Sequence, residues 1–481
     1  PLTRASLRIQ VMQLDDQAQR LAWLAGYLPA LPGAGIVYCL TIADCERVSE
    51  WLQQHGINAP AYHGELGSEL RTQLEERLIR NDVKALVATV ALGMGFDKPD
   101  LGFVVHYQRP GSVVAYYQQI GRAGRAVDDA YAILLNGRED DEIQDYFIRT
   151  AFPGAGPMRQ ILTALEAERE LTDTKLEGHV NLPRSRIRQC LTLLEIDGAI
   201  RWVGGNTYSR TVNPWTPDEN RWRQVTALRH AELQQMQAFV MLRNCYMEFI
   251  ARALDDPTAV PCGRCASCVG PVIAADIDPA QVHRAIAFLR RDTRTIEPRK
   301  QWPGARAFSW NGARLNPRNA EGRILCVYGD AGWGQMVKEG KYRDGCFDDQ
   351  LVVATAALIR ERWMPLPPPD WITAVPSLRH PGLVADLARR LAVLLGLPFR
   401  QALIKIRETP EQKMMENSTQ QLRNVADAFS VAPADVSPGP VLLVDDIVDS
   451  RWTLTLCGAL LRAAGSGVVY PFALASATSR L

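Results

Sequence analysis

The sequence predicts an α/β multidomain protein with a parallel sheet near each end of the chain. Short apolar segments alternate with amphipathic segments through the first 150 residues. Polar, glycine-containing loops follow several of those apolar segments. A further apolar segment, VLLVDDIV, ends in two carboxylates near the C-terminus. Strands that alternate with helices are typical of doubly wound parallel sheets, in which ligands gather at the carboxyl ends of strands.

Composition limits the classes of function. The chain has 481 residues, enough for three or four domains, with 47% hydrophobic and 22% charged residues and a net charge of +1. Any contact with nucleic acid therefore needs a local basic surface. Ten cysteines, most of them isolated, favour a reducing compartment with thiols and a metal over a disulfide framework. No apolar run approaches the length of a membrane span and no signal-peptide pattern is seen, so we expect a cytoplasmic protein without a membrane partner.

The elements of the N-terminal domain follow from hydrophobic periodicity. Helices are predicted at 16–31, 44–56, 68–81 and 113–121, and strands at 35–40, 84–90, 101–107 and 130–136. We expect three loops at the carboxyl edge of the sheet. The first two are 63–64 and 93–97, and the third, after another strand, is the loop that carries Arg122 and Arg125.

That last segment, YYQQIGRAGRA, holds two arginines three residues apart among small residues. A planar, permanently charged guanidinium suits phosphate oxygens, and glycines let a ligand approach closely. The alternative is an ordinary surface loop with two solvated arginines.

Residues 1–150 resemble the second RecA-like domain of a superfamily 2 helicase of the RecQ kind. The matching segments run in order: IVYCLTIADCERV, AYHGEL, VATVALGMGFDKPDLGFVVHY, YYQQIGRAGR and REDDEIQDYFI. The resemblance implies roles for eight residues: Arg122, Arg125 and Gln119 at the γ-phosphate of ATP, Gly93, Gly95 and Asp97 between the nucleotide and DNA sites, and His63 and Thr89 near the DNA strand. For His63 and Thr89, plain packing is an equal alternative.

The chain contains neither a GxxxxGK[ST] loop nor a DExH box, and GDAGWGQMVKEGK (329–341) has glycines and lysines without that spacing. These phosphate- and magnesium-binding motifs belong to the first RecA-like domain. We therefore expect that this chain alone does not hydrolyse ATP. We expect this chain to be the C-terminal portion of a longer protein. The first RecA-like domain, on the same polypeptide, would bind ATP and Mg²⁺.

Residues 151–215 predict a winged helix. Three helical patterns, MRQILTALEAE, TDTKLEGHV and PRSRIRQCLTLLEIDG, precede a hairpin, AIRWVGGNTYSR, with a Gly-Gly-Asn turn. A winged helix is commonly used to bind DNA, and packing against protein is the alternative. The candidate DNA contacts are Arg184, Arg186, Arg188, Arg201, Trp202 and Tyr208, of which Arg184 and Arg188 share a helical face.

The segment 216–275 carries a cysteine cluster. Cys262, Cys265 and Cys268 form a CxxCxxC pattern, and Cys245 lies on the preceding helix. Four thiolates suit tetrahedral zinc, with an iron–sulfur cluster or a disulfide pair as alternatives. The layout resembles the RecQ zinc module, except that here the winged helix precedes the cysteines, whereas in the familiar RecQ arrangement it follows them.

The region 276–319 is basic and dotted with aromatic residues. Trp302, Phe308 and Trp310 are candidate stacking surfaces for nucleic acid. A linker that packs on its neighbours is the alternative of equal weight.

Residues 320–481 resemble a ComF-like type I phosphoribosyltransferase domain through VLLVDDIVDSRWT, with VPSLRHP as its pyrophosphate loop and 405–429 as its flexible loop and following segment. The resemblance implies that phosphoribosyl pyrophosphate, with Mg²⁺, is bound by Asp445, Asp446, Asp449, Ser450 and Thr453. The family usually has Gly where this chain has Arg451. The alternative to a transferase is a degenerate domain kept for regulation or for a partner.

Taken together, the domains resemble RqlH-type RecQ-like helicases. This resemblance implies an ATP-dependent 3′-to-5′ DNA helicase in repair or recombination, which acts at the nucleoid as a monomer on a single-stranded tail and duplex. A phosphoribosyltransferase and a non-catalytic DNA-binding regulator are the alternative functions.

Overall fold

The computed structural model describes residues 4–14, 16–93, 96–291, 293–302, 315, 317–410 and 414–477. The chain divides into two compact units. Unit 1 comprises residues 1–152 and 220–288, and unit 2 comprises residues 153–219 and 289–481. The finer domain boundaries expected from the sequence stay predictions.

Unit 1 is built on a six-stranded sheet in which every strand pair is parallel, as predicted. The strands are β1 Leu7–Gln13, β2 Gly35–Tyr38, β3 Ala61–Tyr62, β4 Ala85–Ala88, β5 Phe103–His106 and β6 Ala130–Asn136, in the spatial order β1-β6-β5-β2-β4-β3. Strand β1 was not predicted, and it pairs with β6 more than 110 residues away. All four residues of β2, β4 and β5 are buried, which explains their uniformly apolar sequences.

The first five helices cover this sheet. They are α1 Gln17–Tyr27, α2 Ile42–Gln54, α3 Ser68–Ile79, α4 Val113–Ile120 and α5 Asp140–Arg149, with a 3-10 turn at Leu28–Ala30. Side chains that accept a hydrogen bond from the first turn cap three of them: Asp16 at α1, Thr41 at α2 and Ser112 at α4.

The cysteine segment contributes to the core of unit 1. Its helices are α9 Glu219–Val240, α10 Tyr246–Ala253 and α11 Ala266–Val269. The ring of Phe239 on α9 lies 5.2 Å from that of Tyr116 on α4, and both are fully buried. Cys265 is buried in the same apolar cluster. The segment therefore packs on the sheet domain as part of one body.

The first part of unit 2 contains three helices and a small antiparallel sheet. The helices are α6 Ala155–Ala167, α7 Asp173–Leu176 and α8 Arg184–Ile196, and the strands are β7 Leu171–Thr172, β8 Ile200–Gly204 and β9 Thr207–Arg210, in the order β7-β9-β8. The predicted helices and hairpin are present, although α7 is shorter than its pattern suggests.

The second part of unit 2 is a five-stranded sheet. Its strands are β10 Arg294–Ile296, β11 Gly322–Val327, β12 Trp371–Ala374, β15 Val441–Val448 and β16 Val469–Ser476, in the order β10-β11-β16-β15-β12. Only β10 is antiparallel to its neighbour among these described strands. A separate hairpin pairs β13 Leu403–Lys405 with β14 Phe429–Val431.

The helices around this second sheet are α13 Gly334–Glu339, α14 Asp349–Ala357, α15 Leu383–Leu395, α16 Ser418–Val425 and α17 Trp452–Ala463. Helix α12 Pro279–Arg291 belongs to unit 1 up to Phe288 and to unit 2 from Leu289. Two π-helical turns, Gly340–Asp344 and Leu358–Trp363, extend α13 and α14, and Pro433–Asp435 forms a 3-10 turn. In the described part of the chain, no helix has both the length and the apolar character that crossing a membrane requires.

Candidate functional site

The arginine pair lies on a tight turn beside the beginnings of strands. Arg122 and Arg125 follow helix α4, as predicted, but their turn lies beside the beginnings of β1, β5 and β6, so its expected position at the carboxyl edge of the sheet is wrong. The amide of Gly124 donates to the carbonyl of Leu101 (3.1 Å), just before β5 begins. Gly124 has φ +74°, and a Cβ there would lie 2.5 Å from Ser6 Oγ, so both backbone and space require glycine. The other two predicted loops, 63–64 and 93–97, come after β3 and β4, and residues 94 and 95 lie outside the described part of the chain.

Both arginines contact the loop between β4 and β5. Arg122 Nη1 donates to the carbonyl of Phe96 (3.1 Å), and Arg125 Nη1 lies 2.6 Å from Asp97 Oδ1. The Arg125 side chain is 41% exposed. One residue expected at the γ-phosphate, Arg125, is therefore joined directly to Asp97, which is expected between the nucleotide and DNA sites. Gly95 lies outside the described residues.

A buried aromatic pair holds the base of this turn. His106 Nε2 lies 2.7 Å from Gln119 Oε1, and the imidazole stacks on the ring of Tyr38 at 5.4 Å. Burial lowers the pKa of His106 to about 4. Burial also raises the pKa of Tyr38 to about 12, partly offset by the nearby guanidinium of Arg122. Sequence reasoning missed His106 and Tyr38, although a histidine at the end of an apolar strand was a visible signal.

His63 and Thr89 lie together at the carboxyl edge of the sheet. The amide of Thr89 donates to the carbonyl of Tyr62 (3.1 Å), which joins the ends of β3 and β4. Both side chains are buried, and His63 Nε2 lies 3.5 Å from Glu46 Oε1. Gly93 lies in the same loop, where a Cβ would be 3.3 Å from the carbonyl of Val90. Both residues are thus buried at the same edge of the sheet, and their predicted place near DNA stays a prediction.

The four predicted cysteines converge. Their sulfur atoms all lie within 4.8 Å of one another, and Cys265 Sγ is 3.9 Å from Cys245 Sγ and 3.5 Å from Cys268 Sγ. A zinc ion with bonds of about 2.3 Å to sulfur separates tetrahedral sulfurs by about 3.8 Å. The amides of Cys262 and Glu248 donate to Cys245 Sγ, which also caps α10. The donor set and its spacing are consistent with Zn²⁺.

Two of the arginines expected to bind DNA are paired with an acidic residue. Arg184 Nη2 lies 2.8 Å from Asp173 Oδ1, and Arg188 Nε lies 2.7 Å from Asp173 Oδ2. These guanidiniums hold the pKa of the Asp173 carboxyl well below its usual range. Each arginine side chain is about half exposed.

The hairpin presents the other candidates. Arg201 Nε donates to Ser209 Oγ (3.0 Å), and Trp202, 57% exposed, donates from Nε1 to the carbonyl of Gly205 (2.8 Å). Tyr208 and Arg186 are half-buried.

A cavity of about 670 Å³ lies at the carboxyl ends of β12 and β15 in unit 2. All five residues expected to bind phosphoribosyl pyrophosphate line it, together with loop 375–380, and these residues are Asp445, Asp446, Asp449, Ser450 and Thr453. Burial raises the pKa of Asp445, reinforced by the charge of Asp446, and burial also raises the pKa of Asp449. Lys341, which was not predicted, reaches the same cavity.

The loop before α17 is fixed from outside the cavity. Arg299 donates from Nε and Nη2 to the carbonyl of Ser450 (3.0 and 2.6 Å), and its guanidinium lies 4.0 Å from the ring centre of Trp452. Arg451 adopts φ +68°, a left-handed conformation that favours glycine, the residue that the resemblance leads us to expect at this position. The ring of Trp302 stacks on that of Trp452, with 5.8 Å between the ring centres. Trp302 therefore packs on a neighbouring residue, as in the linker alternative. Phe308 and Trp310 lie outside the described residues.

Comparison with known proteins supports the interpretation of unit 1. Residues 20–127 match the family model of the helicase conserved C-terminal domain. Unit 1 therefore contains a segment similar to the helicase conserved C-terminal domain.

Several DNA helicases of the RecQ kind are similar to this chain. The ATP-dependent DNA helicase RecQ of Synechocystis sp. is 26% identical over 277 residues, 55% of each chain. The RecQ-like DNA helicase blm-1 of Caenorhabditis elegans is 44% identical over 110 residues, 23% of this chain and 11% of the relative. RecS of Bacillus subtilis is 31% identical over 192 residues, 39% of each chain. The chain thus spans about half the length of the RecQ relative.

Proposed function

We propose that this chain is the C-terminal part of an ATP-dependent DNA helicase of the RqlH type. The observation that carries the proposal is the contact of Arg122 and Arg125 with Phe96 and Asp97, within the region that matches the helicase C-terminal domain. ATP and Mg²⁺ would be held by a first RecA-like domain, against which the two guanidiniums would face the γ-phosphate.

The pair of Arg125 with Asp97 suggests how the nucleotide signal travels. When the γ-phosphate draws Arg125 away, the Asp97 carboxylate loses its partner at 2.6 Å. The loop that contains Asp97 begins at Thr89, at the carboxyl end of β4. A shift of this loop therefore changes the edge of the sheet where Thr89 and His63 lie. Repeated closing and reopening would move the chain along single-stranded DNA in the 3′-to-5′ direction.

The small helical module of unit 2 is the proposed duplex contact, as a winged helix. Arg186, Arg201 and Trp202 are at least partly exposed on α8 and the hairpin. Arg184 and Arg188 keep about half of their side-chain surface exposed while they pair with Asp173. These groups suit contacts to phosphates and sugars, with Trp202 as a stacking surface.

The experiment measures DNA-stimulated ATP hydrolysis by the full-length protein. Arg122→Ala and Arg125→Ala should each lower kcat by about 10³-fold or more, the range known for arginine fingers, with DNA affinity changed less than about twofold. Arg80→Ala, at an exposed position on the same domain, is the matched control and should hydrolyse ATP normally. Normal turnover in both finger variants would refute the assignment.

A non-catalytic DNA-binding regulator is the competing function. It requires DNA binding with a steep salt dependence and no first RecA-like domain. The full-length protein decides between them, because a regulator would show no DNA-stimulated ATPase even with Arg122 and Arg125 intact. Zinc held by the four cysteines would be structural in either case, and we assign the protein to the cytoplasm, at the nucleoid, as a monomer in DNA repair.

The cavity of unit 2 supports a second proposed function, the binding of phosphorylated ribose by a phosphoribosyltransferase-like domain. Its support is that loop 375–380 and all five expected residues line one cavity. Calorimetry with phosphoribosyl pyrophosphate and Mg²⁺ tests it. Heat should appear with the parent protein and vanish in Asp445→Asn, and its absence from the parent protein would defeat the proposal.

A further inference from the structure

A lysine occupies the acidic end of the unit 2 cavity. Lys341 Nζ lies 2.8 Å from Asp446 Oδ2, and the two side chains are 16% and 11% exposed. Lys341 sits in the π-helical turn that extends α13, and such turns are frequent at functional sites. Gly340 fixes this turn against the next segment, because a Cβ there would lie 2.7 Å from the carbonyl of Cys346. The ammonium is therefore held in the cavity by its own backbone and by the carboxylate.

One oxygen of each of the two aspartates near this lysine accepts a backbone hydrogen bond. Asp445 Oδ1 accepts from the amide of Asp446 (2.9 Å), and Asp446 Oδ1 accepts from the amide of Ile447 (2.7 Å). These bonds fix the direction of both carboxylates at the end of β15. The second oxygen of Asp446, Oδ2, is the one that pairs with Lys341.

Mg²⁺ does not fit this arrangement as it stands. It requires near-ideal octahedral coordination, with oxygen ligands at about 2.0–2.1 Å and several retained waters. The Lys341 ammonium already takes the oxygen of Asp446 that such an ion needs. A second cation beside it would meet like charge in a mostly buried place. The lysine thus stands where the related transferases are expected to use magnesium.

We propose that Lys341 takes the place of the divalent cation and that the cavity binds a ribose 5-phosphate group, as carried by nucleoside monophosphates, without metal. This inference rests on the proposed ribose-phosphate site. The Asp445 and Asp446 carboxylates accept from ribose hydroxyls, and Lys341 has two further N–H donors for ligand oxygens.

The charges around the cavity favour a monophosphate. Three aspartates line it, Asp445, Asp446 and Asp449, and so do four cationic residues, Lys341, Arg379, Lys405 and Arg451. This nearly balanced set suits one phosphate group, whereas a pyrophosphate brings more negative charge and normally arrives with magnesium. The function that follows is recognition of a nucleotide rather than transfer of its ribose.

An aromatic pair at the same cavity suits the base of such a nucleotide. The rings of Tyr342 and His380 meet edge to face at 6.1 Å, and both residues line the cavity. Tyr342 is 57% exposed, so its ring is open to a planar ligand. Aromatic side chains stack on any nucleobase with little selectivity. The structure therefore assigns a ribose-phosphate class and leaves the choice of base to the solution experiment.

The test is calorimetric titration of the full-length protein with ribose 5-phosphate, in excess EDTA and in millimolar Mg²⁺. The parent protein should bind with the same Kd, within about twofold, under both conditions. Lys341→Met should weaken binding in EDTA by about tenfold or more, because a hydrogen bond to a charged group contributes about 1.5–3 kcal/mol. Added Mg²⁺ should restore part of that loss, since the freed Asp446 carboxylate can then accept a cation.

The control is Lys338→Met, an exposed lysine one turn earlier on α13, which should bind as the parent does. Thermal unfolding of each variant checks that the fold is kept. Binding by the parent only in Mg²⁺ would overturn the inference and keep the ribose-phosphate site. Unchanged binding by Lys341→Met in EDTA would also overturn it, and no heat under either condition would overturn both. Titration with AMP and GMP then measures the contribution of the base.

Discussion

Acidification should loosen the arginine turn through His106. This imidazole is fully buried between the rings of Tyr38 and Tyr116 and holds Gln119. Its pKa falls from 6.5 to about 4 because burial penalises the charged form. The unfolded chain therefore takes up a proton at a higher pH than the folded protein does. Stability is unaffected above the unfolded pKa of 6.5 and declines as the pH falls from 6.5 toward 4.

The size of this effect follows from the two pKa values. At about 1.36 kcal/mol per pH unit, the fall from 6.5 to about 4 costs about 3 kcal/mol of unfolding free energy below pH 4. Hydrogen exchange of the β5 amides at several pH values measures this loss. His106→Asn should remove it, and His283→Asn, at an exposed position on α12, should leave it unchanged.

Proton NMR of the histidine rings gives the direct measurement. The signal that disappears in His106→Asn should stay constant down to about pH 5 in the parent protein. A titration of that signal near pH 6.5, with stable β5 amides throughout, would refute the reasoning. ATP turnover gives a second measurement. On acidification, turnover by the parent protein should decline at a higher pH than turnover by a variant that lacks the imidazole but keeps the fold.

Three further predictions concern the other sites. Metal analysis should find about one zinc per chain, lost in Cys265→Ser together with several kcal/mol of stability, and a folded, metal-free parent protein would contradict the site. Asp173→Asn should free Arg184 and Arg188, so DNA affinity should rise and its salt dependence should steepen, as fluorescence anisotropy at several salt concentrations would measure. Asn417→Ala should cost unit 2 about 1–3 kcal/mol in urea unfolding, because its buried amide donates to two carbonyls between α7 and α8 and its oxygen caps α16.

Local patterns predicted most of the sheet in unit 1 but not its edge. The strands β2, β4 and β5 are short, uniformly apolar and fully buried, which makes them visible in the sequence. Strand β1, LRIQVMQ, carries Arg8 and two glutamines, and its strand character comes from pairing with β6. Pairing at such a distance along the chain leaves no local signal. The predicted position of the arginine turn was wrong for the same reason. The position depends on how α4 runs back across the sheet, which no local pattern shows.

The candidate sites also contain features that local patterns predicted and features that they did not. Cysteine spacing predicted the cluster, because ligands three residues apart converge on one ion whatever the surrounding fold. The ion pair between Lys341 and Asp446 joins residues more than 100 positions apart, and the glycine- and lysine-containing segment 329–341 was noted only for lacking phosphate-loop spacing. Nothing in that segment indicates a partner. The Arg184 and Arg188 pair was visible on one helical face, but their acceptor, Asp173, lies on another helix.

Three candidate sites share a physical feature. A cation proposed to meet phosphate already has a carboxylate partner: Arg125 with Asp97, Arg188 with Asp173, and Lys341 with Asp446. Each pairing fixes a long side chain before the ligand arrives, so less conformational entropy is lost on binding. At the proposed contacts of Arg125 and Arg188, a phosphate would also have to compete with the carboxylate, which penalises weakly charged or poorly placed ligands more than an unpaired cation would. This arrangement agrees with a net charge of only +1, because the proposed phosphate contacts would then depend on pre-positioned, paired cations rather than on excess positive charge.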